Sequence, residues 1–222
     1  MQYNSWLYLF PFLGGSLILY YLLPIKRRWI GLLFSSLLFY ILTMKSLVVV
    51  VLFTTAAIYL GARVIEQFNE TFKLKKKELD RAARKELKNK TTKKIRYVIA
   101  FLCFINFGIL FVTKYFNFFG ENINALFNAL HIPAQIPFLN IFLPLGISFY
   151  TLSAISYVTD VARGVCKVER NYLRLLLFLI FFPVITEGPI SRYGQLGEEL
   201  KAEHRFDYKQ FCFGAQLITW GL

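Results

Sequence analysis

Residues 29–62 read WIGLLFSSLLFYILTMKSLVVVVLFTTAAIYLGA, and Lys45 is their one charged side chain. A membrane-spanning helix needs about 20 mostly apolar residues, with about 17 near the lower limit. Lys45 and Ser46 divide the stretch into two runs, 29–44 and 47–62. A connection this short predicts an antiparallel helical hairpin. The rest of the chain is similar in kind. Of its 222 residues 56% are hydrophobic, the mean hydropathy is +0.49, and there are 24 Phe and 13 Tyr. Soluble domains are roughly 45–50% apolar, so this chain is too apolar for one soluble core and suits solvation by lipid.

Towards the N-terminus, residues 6–23 form another apolar run, interrupted only by Pro11 and Gly14-Gly15. Pro24 and the basic residues Lys26, Arg27 and Arg28 close it. No basic stretch precedes the run and no small-residue cleavage site follows it, so a retained span is expected rather than a cleaved signal. Towards the C-terminus, residues 63–96 change character. Twelve Lys and Arg lie between Lys73 and Arg96, with Glu78, Asp80 and Glu86 spaced among them. Opposite charges three and four residues apart predict a soluble helix. Such a segment reads as a solvated cytoplasmic loop, and its charge also suits anionic lipid or an acidic carrier protein.

Residues 97–113 are a fourth apolar run. Residues 117–137 mix Phe and Leu with Asn, predicting an interfacial outer segment, not a span. A fifth run, 138–158, contains Pro144 and Gly146 and then Ser148, Thr151, Ser153 and Ser156, small hydroxyl residues that suit close helix packing. A sixth, 175–186, is too short to span and runs into Glu187, Gly188 and Pro189. That pattern predicts a broken or re-entrant helix, which is tolerated at membrane depth only inside protein or beside a polar cavity. The last run, 211–222, is 12 residues long, and a piece of a longer protein is expected from it. No internal repeat is visible.

The net charge of +13 does not form a separate basic face for nucleic acid. It sits between apolar runs, where charge reports topology. With the N-terminus outside, Lys26 to Arg28, residues 63–96 and the turn at 163–174 all fall on the cytoplasmic side. Cys103, Cys166 and Cys212 have no metal-like spacing and imply no disulfide framework; palmitoylation of Cys166 is a minor alternative to three plain thiols.

Two segments go beyond generic membrane composition. One is Leu143-Pro144-Leu145-Gly146-Ile147-Ser148-Phe149-Tyr150-Thr151, continuing through Tyr157 to Asp160 and Arg163-Gly164. The other is Phe181-Phe182-Pro183 followed by Glu187-Gly188-Pro189-Ile190 and Arg192-Tyr193. Together they resemble the membrane-bound O-acyltransferase family, in the branch of alginate O-acetylation and teichoic acid D-alanyl transfer proteins. The Leu-Leu-Pro at 22–24, Lys114-Tyr115 and Arg205-Phe206-Asp207-Tyr208 also resemble that branch, so the likeness covers essentially the whole chain. It implies an all-α, polytopic transmembrane helical bundle with broken or re-entrant helices, incomplete at the C-terminus, with residues 1–222 the N-terminal part of one acyltransferase domain. It further implies transfer of an acetyl or D-alanyl group to hydroxyls of an envelope polysaccharide or polymer. No bound cofactor is implied; the acyl donor, a thioester or a carrier-linked group, is a substrate. The implied surroundings are the bilayer of the cell membrane, an acyl carrier or envelope-modification partner proteins, and a polymer acceptor.

The family's functional histidine lies in an apolar stretch after the second block, beyond Leu222 by this resemblance. His131 precedes Ile132-Pro133 in the expected outer loop and His204 sits in the polar KAEHRFDYKQ. Neither fits a water-restricted site for a base, so no catalytic residue is assigned in this chain. Glu187, Arg192, Tyr193, Ser148, Tyr150 and Asp160 are the candidates for lining a tunnel or positioning substrate. Ionisable groups beside a broken membrane helix face a cavity or pair with each other, so a structural Glu187–Arg192 pair is the alternative. Pro144, Gly146, Pro183, Gly188 and Pro189 are read as geometric. Half of a transporter, which also uses broken helices, and an inactive membrane scaffold are the rival readings.

Overall fold

A computed structural model describes residues 8–44, 48–76, 80–138, 146–184 and 191–221. Among the described residues all regular structure is helical. A π-helical turn at Tyr8–Leu13 leads into α1 (Gly14–Leu22), and a short 3-10 turn at Ile25–Arg27 into α2 (Arg28–Met44). Then come α3 (Val48–Lys75), α4 (Arg81–Leu110), α5 (Phe116–Ala129), α6 (Ile147–Arg163), α7 (Tyr172–Ile180) and α8 (Tyr208–Gly221). The protein is an all-α membrane helical protein. Two helical stretches are long and apolar enough to cross a bilayer by length and composition: α3, of 28 residues, and the continuous helix Arg81–Ala129, of 49.

The spans expected from the sequence meet the helices unevenly. α2 matches the run at 29–44. The run at 47–62 becomes α3 but continues to Lys75, and α4 starts at Arg81, sixteen residues before the apolar run at 97. The described residues of the basic segment 63–96 are therefore helical extensions of α3 and α4. Ala83, Leu87, Thr91 and the buried Ile95 recur every four residues on its less exposed face. That spacing places them on one side of a helix. The segment at 117–137 is helical to Ala129. A π-helical turn at Phe111–Tyr115 joins it to α4 without a break. The irregular piece that follows is tied back by Asn124, whose Oδ1 accepts the Ile136 N–H at 2.7 Å and whose Nδ2 donates to the Ile136 carbonyl at 3.0 Å.

The core lies where α2, α3, α4, α6 and α7 meet. Gly61 lets α3 approach α4, because a Cβ there would run into the Leu102 side chain. Small residues at such crossings are what allow close packing in membranes, where the hydrophobic effect between helices is absent. Away from the core the apolar side chains point outward. Phe53 and Leu60 on α3 and Phe101 and Phe104 on α4 are 62–78% exposed, more apolar surface than water tolerates without a partner.

Candidate functional site

α6 begins at Gly146, whose φ of 70° lies in the left-handed region. Glycine meets no Cβ penalty there, and its carbonyl accepts the Tyr150 N–H at 2.8 Å. One turn on, Tyr150 is buried and ties α6 to α3. Its hydroxyl is hydrogen-bonded to Thr54 Oγ1 at 2.6 Å and to Thr55 Oγ1 at 3.1 Å. In a lipid-solvated core these hydroxyls have no water to turn to, so they satisfy one another. α6 ends at Gly164, also left-handed with a φ of 74°, where the Val165 N–H reaches back to the Asp160 carbonyl at 2.9 Å.

α7 follows after a short turn. Asn171 caps it, its Oδ1 accepting the Leu173 N–H at 2.9 Å, as Asn does at helix starts. Tyr172 donates to the Leu52 carbonyl at 3.0 Å, fixing the start of α7 against α3. Leu175 to Ile180 are all buried. The helix then stops after nine residues, roughly 14 Å at 1.5 Å per residue and too short to cross a bilayer. Phe182, in the turn beyond it, packs on Phe12 and Phe39 with ring centroids 5.2 and 6.1 Å away.

The two sequence blocks converge here. Tyr150 and Ser153 of α6, Phe181 and Val184 after α7, and Ser191 and Leu196 further on line one small cavity of about 20 Å³. That is room for about one water and not for an acyl donor. Its rim carries hydroxyls from both blocks, so the Gly146 end of α6 and the stretch reaching Tyr193 are neighbours inside the protein.

A buried carboxylate that the sequence did not single out lies against Tyr193. Glu169 is 7% exposed. Its Oε2 accepts the Tyr193 hydroxyl at 2.6 Å and pairs with Lys201 Nζ at 2.7 Å, while its Oε1 accepts the Asn171 N–H at 2.8 Å. Its own N–H donates to the Tyr157 hydroxyl at 2.9 Å. The Tyr193 ring is held between Tyr157 and Phe178, with centroids 4.9 and 5.0 Å away, and Lys201 Nζ lies 4.9 Å from its centre. Burial pushes the Glu169 carboxyl up, but Lys201, Tyr193 and the Asn171 N–H outweigh it and hold the group below the usual carboxylate range. Burial and the hydrogen bond to Glu169 push the Tyr193 phenol well above its ordinary value. A phenol so placed donates a hydrogen bond and stays neutral.

The candidates chosen from the sequence are therefore sorted. Tyr150 and Tyr193 are buried and knit elements together, and Tyr150 also touches the cavity. Asp160 is buried on α6, Ser148 is half-buried, and Arg192 and Pro183 are exposed. The Arg192 carbonyl starts a π-helical turn at Tyr193–Gly197 by accepting the Leu196 N–H at 3.0 Å. Pro144, Glu187, Gly188 and Pro189 lie outside the described residues, and the Glu187–Arg192 pair with them. His131 is exposed in the left-handed conformation at the end of α5, and His204 is exposed beside Glu199. Glu169 could have been suspected as an acid two residues before the helix-capping Asn171. Lys201, thirty-two residues away, carried no such signal.

Curated proteins match the chain along most of its length. It is 30% identical over 202 residues to the probable alginate O-acetylase AlgI of Pseudomonas aeruginosa, covering 90% of this chain and 34% of that protein. It is 33% identical over 127 residues to the corresponding protein of Pseudomonas syringae, covering 56% of this chain and 23% of the relative. It is 34% identical over 70 residues to the teichoic acid D-alanyltransferase of Bacillus subtilis, covering 31% and 18%. The chain thus spans about a third or less of the length of these relatives. No family model and no solved structure matches it. The resemblance carried by the two blocks is met by these proteins, and the chain is a relative of the membrane O-acyltransferases in the branch of alginate O-acetylases and teichoic acid D-alanyltransferases.

Proposed function

We propose that the chain is the helical scaffold of a multi-pass cell-membrane O-acyltransferase, with its N-terminus outside, acting in a longer protein on the hydroxyls of an envelope polysaccharide or polymer. The observation that carries this reading is the convergence of the two family-like blocks on one buried cavity, in a chain similar to alginate O-acetylases over 90% of its length. The transferred group is acetyl or D-alanyl. In the reaction the acceptor oxygen bonds to the acyl carbonyl carbon, the bond to the donor's thiol sulfur breaks, and the hydroxyl proton passes through a base to that thiol. Donated hydrogen bonds stabilise the oxyanion between these steps.

The base is not assigned to this chain, whose two histidines are both exposed. Tyr150 and Tyr193 act here by position: their hydroxyls hold α6 and the stretch after α7 around the cavity. Deleting the full-length gene is expected to lower ester-linked acetyl or D-alanyl groups on envelope polymers, measured after mild alkaline release. Unchanged levels of both esters would sink the reading. The 222-residue chain purified alone is expected to show no transfer from an acyl thioester to a polymer hydroxyl. Measurable turnover would place the base among its own residues.

A further inference from the structure

One apolar surface lies apart from the α6 and α7 blocks. Leu17, Ile18, Tyr21 and Leu22 of α1, with Phe206 and Phe211 before and within α8, line a groove of about 590 Å³. Ligand sites run to roughly 300–1,000 Å³, so the groove has the size of one, unlike the water-sized cavity beside Tyr150. Its lining is open to the surroundings: Ile18 is 64% and Phe206 55% exposed. An acetyl or D-alanyl group would leave most of it unfilled.

Arg28 fixes one end of this groove. Its Nε donates to the Leu23 carbonyl at 3.3 Å and its Nη1 to the His204 carbonyl. Its guanidinium lies 5.2 and 5.0 Å from the ring centres of Tyr20 and Tyr21, and Tyr21 meets Phe206 edge-on at 5.2 Å. The groove is thus pinched at that end, shaped for a flexible chain rather than for a helix about 10 Å across. Around the pinched end the charge is positive. Lys26 and Arg27, in the turn leaving α1, and Arg205, next to Phe206, are exposed and have no ion-pair partner among the described residues. Of the nearby acids, Asp207 is engaged, its Oδ1 accepting the Lys209 N–H at 2.8 Å, and Glu203 is exposed. From that end α1 runs back to Gly14, which also lines the groove, a length of roughly 12 Å at 1.5 Å per residue. One leaflet is about half of a 30 Å hydrocarbon core, so the groove is close to one leaflet deep. Lipid already surrounds an apolar face in a membrane, so apolar contact by itself selects no occupant. A cationic rim beside a leaflet-deep groove selects lipids by headgroup charge.

We propose that the groove between α1 and α8 binds one acyl chain of an anionic phospholipid, whose phosphate is held by Lys26, Arg27 and Arg205. The proposal rests on the lipid-embedded reading of the helices and not on acyl transfer. To test it, the full-length protein is placed in phosphatidylcholine nanodiscs with a trace of phosphatidylglycerol carrying a diazirine midway along one acyl chain. Phosphatidylcholine bearing the same chain is the neutral control, and labelled residues are located by mass spectrometry after irradiation. Phosphatidylglycerol is expected to label Leu17, Ile18 and Phe211 about tenfold more than the neutral probe does, and Phe101 and Phe104 of α4 to the same extent. Lys26→Gln, Arg27→Gln and Arg205→Gln together should bring labelling of the groove down to the neutral level. Lys85→Gln with Lys88→Gln should leave it unchanged. Equal labelling of the groove by the two probes in the wild type would make its occupant ordinary boundary lipid and overturn the proposal. An undiminished preference in the triple variant would overturn it as well. So would a groove without label beside a labelled α4, the result expected if a later segment of the longer protein covers it. Label on neither would defeat the membrane reading, and the proposal with it.

Discussion

α7 and the apolar half of α4 are written in the same alphabet of Leu, Ile and Phe, yet they meet different solvents. Leu175 to Ile180 show 0–3% of their surface, whereas Phe101, Phe104 and Phe107 show 43–78%. α7 is nine residues long and buried from Leu175 to Ile180; the helix containing α4 is 49 residues long and carries exposed apolar side chains. The difference lies in what surrounds each run. α7 is pinned at both ends: by Asn171 before it and Tyr172 at its start, and by Phe182 behind it. α4 is flanked by charged turns of helix that continue its axis. A short apolar helix with fixed ends becomes interior, and a long one with polar extensions becomes a lipid-facing wall.

The comparison can be broken most severely at Glu169. Glu169→Ala breaks a buried ion pair, strands the Tyr193 hydroxyl and leaves Lys201 only Glu198 at 3.2 Å, a change expected to cost about 3–5 kcal/mol. It should be read as loss of the folded fraction in mixed-micelle denaturation. The same site has a pH signature. A carboxyl held below its ordinary value of 4.5 in the folded state contributes stability that is fully present above that pH. The contribution is lost as pH falls through the lower folded value. The Glu169→Ala protein should therefore lose less stability than wild type on acidification below 4.5. Parallel losses would show that the carboxylate is not the source.

A smaller effect sharpens the contrast directly. Leu176→Ala in α7 should cost about 3 kcal/mol, the usual range for a fully packed leucine. Phe104→Ala on the lipid-facing side of α4 removes more atoms and should change stability by less than about 0.5 kcal/mol. Similar costs at the two positions would mean that Phe104 is covered by protein. Between these two, Gly61→Ala should cost about 1–2 kcal/mol by pushing Leu102 off its seat. Pairing it with Leu102→Ala should recover part of that loss.

Much of this arrangement was legible in the residues. Run lengths located α2 and the apolar parts of α3 and α4, because helices in lipid are long and nearly unbroken. The short run before Glu187 read correctly as a helix that cannot span, since length alone decides that. The extent of α3 and α4 beyond the apolar runs was harder to see: opposite charges along 63–96 suggest a helix but do not say that it continues an adjoining span. The site was less legible. Tyr150 and Tyr193 were chosen from a motif, but their use as ties depends on Thr54 and Glu169, residues 96 and 24 positions away. Such pairings come from the way helices pack, and local spacing holds no record of them.

The continuous helix from Arg81 to Ala129 is roughly 74 Å long at 1.5 Å per residue, more than twice the thickness of a hydrocarbon core. Much of its length therefore lies outside the bilayer, and it behaves as a lever with its fulcrum in the lipid. A tilt of about 10° about the middle of the apolar run, roughly 36 Å from Arg81, swings the basic end by roughly 6 Å. The π-helical turn at Phe111–Tyr115 is where such a rod can yield before the swing reaches the opposite face.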